Sequence, residues 1–461
     1  MDGNETPLSE EELYSVYELL RKLTPEHELL QLAPLGPTAV YTTLVTLWML
    51  TLQRLDGGAS LSEVVKVVRT YSKNLLPNNK RVREGTLSKS SGAYSEARKR
   101  LPIAAAELFA KSVCHSLVDR SPSWFGDQRA YILDGTTITL SPTSELTKVY
   151  PPSTNQHGVS VWPVLMLMVA HELQSGCALI PEMGAMYGKD NTSEAKQTAA
   201  IAKRIPARSI VLGDTNFGIF SVAHALIGQG QDILLRLSKP RYKALRRAAE
   251  LLEETATSTK HRLQWIPSDY ERQTNPDLPA DAVVEVIIHK IEREDGECLM
   301  LVTTLRWSSE EVAEAYARRY DVEHNIRDLK VTMNLEKIRA RSDEMVRKEI
   351  LCSVVAYNLV LEFRREAAKI AKLPPRRLSF KGVWDTFQTY LLHQPPCSAS
   401  KWLERYEAAL KVASTDKLPN RPGRSFPRKA HSRAPKSAKF MNKTSNENTA
   451  KPEIPDKPPP K

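Results

Sequence analysis

The stretch Tyr131–Leu140, YILDGTTITL, decides how the fold is read, because its apolar run ends in an aspartate and a glycine. Residues such as Tyr131, Ile132 and Leu133 are typical of a buried strand. The pattern predicts that Asp134 stands at or near this strand with its carboxylate facing a cleft. Burial of a carboxylate is costly unless it is paired or bound to a metal ion, although an aspartate after a strand is also a common turn former or helix cap.

A second segment repeats this arrangement. In SIVLGDTNFGIF, residues 209–220, an apolar run and a glycine precede Asp214. The strand-like run VWPVLMLMVAHEL and the helical stretch SEAKQTAAIAKRI lie between the two aspartates, so the region predicts a mixed α/β core with buried strands. Two hard oxygen ligands on neighbouring strands can bridge a pair of magnesium or manganese ions.

The chain up to about residue 125 has the character of a helical region. Its apolar residues recur at helical spacing in EELYSVYELLRKL, TAVYTTLVTLWMLTLQRL, SLSEVVKVVRTY and AAAELFAKSVCHSLV. A basic connector from Asn78 to Arg100 interrupts these segments and contains Arg81, Arg98 and Lys99. The connector is either a basic face that lies on phosphates or a solvated loop and helix start, and both interpretations stay open at this point.

Beyond the second aspartate, apolar runs alternate with polar turns. The runs DILLRL, HRLQWI, AVVEVIIHKI and CLMLVTTL, separated by polar turns that include Asp295-Gly296, predict a β-rich insertion, and long helices follow it. We predict these divisions: a helical region at 1–125, a core at 126–231 and 306–375, the insertion at 232–305, C-terminal helices at 376–415 and a disordered basic tail at 416–461.

Charge is distributed unevenly along the 461 residues, of which 41% are apolar, as in a soluble globular protein. The net charge is +11, but the segment from Lys417 to the end carries 12 Lys and Arg against 3 acids and so accounts for +9. Only +2 remains for the rest of the chain. The tail is too poor in apolar residues to fold, and it either raises non-specific affinity for nucleic acid or merely solubilises the protein.

Several classes of protein are excluded by the sequence. The five cysteines are far apart and form no C-x-x-C pair, which argues against a zinc site or a disulfide framework and favours a reducing, cytoplasmic location. The acidic N-terminus MDGNETPLSEEELY does not resemble a signal peptide, and no run approaches the ~20 apolar residues of a membrane span. We therefore expect no membrane partner.

The segment AYARRYDVEHNIRDLK, residues 315–330, carries the most specific motif. Its members obey the spacing Y-x2-R-x3-E-x6-K: Tyr316, Arg319, Glu323 and Lys330. On one regular helix, turning about 100° per residue, all four share one face about 21 Å long. The alternative is an ordinary charged face with i,i+4 pairs such as Arg319 with Glu323.

Two further features place this motif on a sheltered helix. Val322, Ile326 and Leu329 border the polar stripe on the helical wheel, so the stripe adjoins an apolar face. Ser308, followed three residues later by Glu311, predicts a capping box that starts the helix just after the last β run.

The motif resembles the signature of the bacterial DDE transposases of the insertion-sequence-four type, which have the same Tyr, Arg, Glu and Lys spacing. The order of strand aspartate, second aspartate, β-rich insertion and glutamate helix is also similar over roughly residues 80–365. The resemblance implies an RNase H-like mixed sheet with a β-rich insertion, in which Asp134, Asp214 and Glu323 bind two Mg²⁺ or Mn²⁺ ions. One ion would activate water or a 3′-hydroxyl, and the other would stabilise the leaving oxygen.

The resemblance also implies partners. Tyr316, Arg319 and Lys330 would hold the DNA backbone near a base flipped out of the stack, and the N-terminal helical region would bind the terminal inverted repeats. The expected substrates are double-stranded transposon ends and target DNA, joined by a homodimer in the cytoplasm at the nucleoid. Relatives place a stacking aromatic in the insertion; here Trp265 and Trp307 are the nearby candidates, and the role stays unassigned.

Two other functions are consistent with parts of the sequence. ILDGTT is similar to the D-x-D-G-T loop of aspartate-nucleophile phosphatases, but that loop needs another aspartate where Ile132 stands. A transposase-derived DNA-binding protein that no longer cuts is the non-enzymatic alternative. All three carboxylates are present, so the sequence shows no sign of inactivation.

Overall fold

A computed structural model describes residues 14–34, 39–71, 75–156, 158–293 and 296–419. The predicted basic tail lies almost wholly outside the described residues, as does Asp295 of the predicted turn. Within the described part of the chain all five cysteines carry free thiols, in agreement with the expectation that no disulfide framework exists.

The N-terminal region is helical as far as the structure describes it. Side-chain caps begin several of its helices; for example, Thr42 accepts from the Val45 amide at 3.2 Å, and Asn79 accepts from the Val82 amide at 3.1 Å. The helices are α1 Tyr17–Arg21, α2 Glu26–Leu32, α3 Thr43–Leu55, α4 Leu61–Tyr71, α5 Lys80–Arg83, α6 Gly92–Arg100 and α7 Ile103–Asp119.

A single large sheet forms the centre of the molecule. Among the described residues its strands are β1 Ala130–Thr139, β2 Pro152–Asn155, β3 Gly158–Glu172, β4 Glu182–Ala185, β5 Ile210–Gly213, β6 Asp232–Arg236, β7 Glu250–Glu254, β8 Ser258–Trp265, β9 Val284–Glu292 and β10 Cys298–Thr303. Helices α8 Ser144–Val149, α9 Glu194–Ala202, α10 Phe220–Ile227, α11 Lys239–Arg246 and α12 Asp269–Thr274 connect them.

The strand order confirms the predicted fold class. Strand β3 lies between β4 and β1 and is antiparallel to both, whereas β5 is parallel to β1 and β6 is parallel to β5. Three antiparallel strands followed by two parallel ones, in the order β4-β3-β1-β5-β6, form the RNase H-like sheet. The carboxyl end of β5 therefore lies beside the middle of β1.

The β-rich segment continues this sheet. Strand β10 is antiparallel to β6, and the order runs on through β9, β8 and β7. Residues 232–236, which the sequence pattern assigned to the insertion, form β6 and pair in parallel with β5, so they belong to the central sheet. The division of the chain into domains otherwise stays a prediction.

The helix expected to carry the four-residue motif is not one regular α-helix. The capping box of Ser308 and Glu311 starts α13 Ser309–Ala317 as predicted, but a 3₁₀ turn at Arg318–Tyr320 separates it from α14 Asp321–Arg327, and a π-helical turn follows at Asp328–Thr332. Hydrophobic periodicity gives the buried face but not such changes of pitch, because 3₁₀ and π turns depend on the tertiary contacts around them.

Successive residues of β1 point into different apolar cores. Tyr131 and Leu133 join a core with the N-terminal helices, whereas Ile132 joins a second core that includes Leu212 and Val322. The 29-residue helix α15 Asp343–Ala371 packs against α7 and α3 in the first core, and α16 Phe380–Phe387 and α17 Ala399–Ala413 pack on it. The sheet is thus covered on both faces.

None of the described helices is by itself long and apolar enough to cross a membrane. Helices α6 and α7, which are bent by 84° relative to each other, together have the length and apolar composition of a span, on length and composition alone.

Candidate functional site

The first two predicted site residues lie side by side on the central sheet. The parallel register pairs Ile132 of β1 with Leu212 of β5, and continuing it by two residues brings Asp134 alongside Asp214. Asp214 follows Gly213, the last residue of β5, so it stands at the carboxyl edge of the parallel strands. Ligands commonly bind in the crevice outside this edge of α/β sheets.

The environment of Asp134 is partly buried and negatively charged. The pKa of Asp134 is raised to about 6, chiefly by burial and also by the negative charges of Glu194 and Asp214. The Gly135 amide, which donates to Asp134 Oδ1 at 2.8 Å, and the positive charge of Arg319 act in the opposite direction. A carboxylate crowded by like charges in a cleft is typical of a functional site and suits a bound cation.

The structure adds Glu194, a carboxylate that the sequence analysis did not select. Glu194 is the first residue of α9, and its Oε2 accepts a hydrogen bond from Asn216 Nδ2 at 3.2 Å. The backbone amide of Asn216 donates to Asp214 Oδ1 at 2.8 Å, so this asparagine links the two acids. In the sequence, a glutamate after Ser193 reads as an ordinary helix start, and only the fold shows that it reaches the aspartates.

Glu323 lies at the border of this group. Its side chain is 46% exposed, and Arg319 Nη2 lies 3.8 Å from its Oε1. The Arg319 side chain is only 13% exposed and lies over the rings of Tyr316 and Tyr320, with 6.0 and 4.7 Å between the guanidinium carbon and the ring centroids. These contacts place Arg319 between the glutamate and an aromatic wall.

Lys330 joins the motif segment to the strand of Asp134. Its Nζ donates to Thr136 Oγ1 at 3.1 Å, two residues beyond Asp134 on β1. The residue lies in the π-helical turn at Asp328–Thr332, and such turns are frequent at functional sites. Because α14 also packs on β1, the segment that carries Glu323 is attached to the strand that carries Asp134.

Tyr316 occupies the buried side of the motif. The side chain is 3% exposed and packs in the second core, and its hydroxyl has no hydrogen-bond partner among the described residues. Burial is the main cause that raises the pKa of Tyr316. An unpaired buried hydroxyl is costly, so this group needs an explanation that the apolar packing alone does not give.

The four motif residues and the two aspartates thus form one region of the molecule. Within the described residues, however, no three His, Cys, Asp or Glu side chains lie close enough together to hold one ion directly. The structure pairs Asp134 with Asp214, adds Glu194, and keeps Glu323 beside Arg319.

Comparison with known proteins decides the family. A family model described as the transposase DDE domain matches residues 125–359, more than half of the chain. The chain belongs to the DDE transposase family. The matched span begins just before β1 and ends within α15, so it includes both aspartates and the whole Tyr, Arg, Glu and Lys motif.

Individual transposases show a more distant similarity. Transposase InsG of the insertion sequence element IS4, from Escherichia coli strain K12, is 22% identical over 345 residues, which cover 72% of this chain and 73% of InsG. A cryo-EM structure of the piggyBac transposase in a synaptic complex with hairpin DNA is also similar. The alignment covers 88% of this chain and 84% of the piggyBac chain, at 10% identity and with a TM-score of 0.39. The latter value is low, so the fold assignment rests on the strand order.

The three N-terminal basic residues lie in different environments in this transposase. Arg81 and Lys99 are exposed, and Lys99 forms an ion pair with Glu96 at 2.7 Å. Arg98 is 9% exposed, and its Nη2 donates to Glu349 Oε1 at 2.6 Å. This ion pair engages the Arg98 guanidinium within the protein, which helix periodicity alone did not show, and contact of Arg98 with DNA stays a prediction.

The two candidate tryptophans also differ. Trp265 is 2% exposed and lies edge-on to Phe220 at 5.7 Å between ring centroids, so it is a core residue. Trp307 is partly exposed and lies in an aromatic group with Phe125 and Trp124, at centroid distances of 4.2 and 6.2 Å. Only Trp307 of the pair offers ring surface to a base, and the stacking role stays unassigned.

Proposed function

We propose that this protein moves an insertion sequence by cut-and-paste transposition, cleaving and rejoining DNA at the terminal inverted repeats with two divalent metal ions. One observation carries the proposal: the sheet register brings Asp134 beside Asp214, and the Lys330 contact with Thr136 attaches the Glu323 segment to the same strand. The family assignment supplies the class of reaction, and the site supplies the chemistry.

The residues present fit a divalent cation. Members of the DDE transposase family generally use divalent metal ions. The donors at this site are carboxylate oxygens, which Mg²⁺ and Mn²⁺ prefer, and the crowding of negative charge around Asp134 would be relieved by a cation. When bound, such ions activate the attacking hydroxyl and stabilise the leaving oxygen during in-line displacement at phosphorus.

The motif residues would hold the DNA backbone at the cut. An arginine fork and a lysine point charge both suit phosphate oxygens, so Arg319 and Lys330 are placed to bind the phosphates beside Asp134. Tyr316 packs beneath Arg319 and would help to position that guanidinium. We infer that a phosphate drawn to Arg319 weakens its 3.8 Å contact with Glu323 and frees this carboxylate to complete the site.

A basic groove offers a path for the DNA strand. The groove has a volume of about 970 Å³ and is lined by Thr215, next to Asp214, and by residues of α11. Six positively charged residues line it: Arg236, Lys239, Lys243, Arg246, Arg247 and Lys290. Such a concentration of charge attracts phosphates regardless of base sequence, which suits strand positioning near the cleavage site.

The helical N-terminal region would supply the contacts that recognise the repeats. Arg81 projects from α5 on an exposed surface, and Lys99 borders a second cleft of about 770 Å³ together with Arg339 and Arg341. Arg98 and Glu349 also line this cleft, but they form an ion pair with each other. Pairing of two transposon ends requires two sites, so the proposal includes a homodimer formed on DNA at the nucleoid.

The alternatives are less well supported. The phosphatase loop would need an aspartate in place of Ile132, which is fully buried in the second core. A DNA-binding protein that no longer cuts would retain the basic surfaces, and only an assay for cleavage separates it from an active enzyme.

The proposed function is tested with a plasmid that carries the DNA flanking the gene. Incubation with the purified chain and Mg²⁺ or Mn²⁺ is expected to give cuts that map to the ends of the inverted repeats, and no cuts when a chelator removes the metal. If the plasmid is retarded on a gel but stays uncut in every metal condition, the chain is the DNA-binding protein that no longer cuts. Cuts scattered independently of the repeats would exclude transposition of this element.

A further inference from the structure

We propose that Glu194 is a fourth carboxylate of the metal site, which holds a divalent ion through the ion's water ligands while Asp134 and Asp214 bind it directly. The inference rests on the proposed metal chemistry and deepens it, because it assigns a role to a residue outside the motif.

The position of Glu194 is fixed from two sides. A Cβ atom built on Gly135 would lie 2.3 Å from Glu194 Oε1, so the carboxylate touches the backbone next to Asp134. On its other side Oε2 accepts from Asn216 Nδ2 at 3.2 Å, next to the amide that donates to Asp214. The side chain therefore spans the gap between the two aspartates, and the absence of a side chain at Gly135 makes this approach sterically feasible.

The arrangement is costly unless a cation is bound. Three carboxylates from β1, α9 and the end of β5 repel one another, whereas Gln at position 194 would fill the same volume without this repulsion. Mg²⁺ keeps several of its waters and is bound by only one or two carboxylates directly. A further acid near such an ion hydrogen-bonds those waters, and loss of an outer-shell partner of this kind typically lowers metal affinity 10- to 100-fold.

The test measures Mn²⁺ binding to the full chain without DNA, by calorimetry or by the paramagnetic resonance signal of free Mn²⁺. Glu194→Gln keeps the size of the side chain and an oxygen that can accept from Asn216, and removes only the charge. Asp190→Asn is the matched control, because it removes a negative charge from an exposed residue four positions earlier. We expect Mn²⁺ affinity to fall roughly tenfold in Glu194→Gln and to be unchanged in Asp190→Asn.

Two further measurements separate a metal-binding role from a structural one. Metal-free Glu194→Gln should unfold at the same temperature as the wild type or higher, since a repelling charge is removed. Its DNA cleavage should be slow at limiting Mn²⁺ and recover as Mn²⁺ is raised. A role only in supporting Asn216 predicts the reverse, with normal affinity in Glu194→Gln and lower thermal stability in Glu194→Ala.

The outcomes are distinguishable. Wild-type affinity in Glu194→Gln, together with weakened binding in Asp134→Asn, would overturn the role of Glu194 and leave the metal site intact. An equal loss in Asp190→Asn would show a non-specific effect of net charge and would also overturn it. No Mn²⁺ binding by the wild-type chain would overturn the metal chemistry itself, and this inference with it.

Discussion

Glu323→Gln will reduce metal-dependent DNA cleavage at the repeat ends by at least roughly a thousandfold, while DNA binding stays within a few-fold of the wild type. The substitution keeps the volume of the side chain and removes the negative charge that helps to bind the metal. Binding should be retained because, in the proposed function, the phosphate contacts come from the basic groove along α11 and from Lys330, which this change does not touch. Cleavage of end-labelled terminal DNA and its electrophoretic retardation measure the two activities.

Glu314→Gln is the control for this prediction. Glu314 is an exposed acid on α13, nine residues before Glu323, so its neutralisation changes the net charge of the same segment away from the site. We expect cleavage within about twofold of the wild type. Equal losses of binding and cleavage in Glu323→Gln would contradict the proposed division of labour, because Glu323 would then support the DNA-binding surface and not the chemistry.

Glu349→Ala will destabilise the folded protein by about 3–5 kcal/mol. Arg98 and Glu349 are both about 10% exposed on their side chains and form a hydrogen-bonded ion pair at 2.6 Å between α6 and α15. Removal of the carboxylate leaves the Arg98 guanidinium buried without its partner. Lys348 increases the cost, since this fully buried cation already donates to the Arg98 carbonyl at 3.0 Å.

Urea-induced unfolding at neutral pH measures this change. The double variant Arg98→Met/Glu349→Leu is expected to recover most of the lost stability, because apolar residues of similar volume avoid the unpaired charge. A loss below about 1 kcal/mol in Glu349→Ala would show that water reaches Arg98 freely, which would favour Arg98 as a DNA contact.

The local signals in the sequence predicted local structure well. The apolar runs before Asp134 and Asp214 correspond to β1 and β5, and the Ser308 and Glu311 pair forms the capping box. Each of these features depends on neighbouring residues in the chain or on a pattern with a short period. The resemblance to DDE transposases was confirmed by the family match over residues 125–359.

What the sequence did not show depends on contacts between distant segments. In the sequence, Glu194 has the pattern of a helix start. It reaches the aspartates only because α9 leads into β5, which lies next to β1. The sequence pattern assigns Arg98 to a basic face, because its ion partner Glu349 lies 251 residues away in the chain and cannot be recognised locally. The 3₁₀ and π turns around Glu323 likewise follow from packing on the sheet and not from residue spacing.

The most direct test of the central claim, that these carboxylates share a metal site, is cleavage of the polypeptide itself by bound iron. Fe²⁺ in place of Mg²⁺, with ascorbate and peroxide, generates short-lived radicals that cut the backbone near the ion. We expect fragments that end near Asp134, Asp214 and Glu323, suppressed by excess Mg²⁺ and absent in Asp134→Asn. Cuts elsewhere in the chain, or none that Mg²⁺ suppresses, would contradict a shared metal site at these residues.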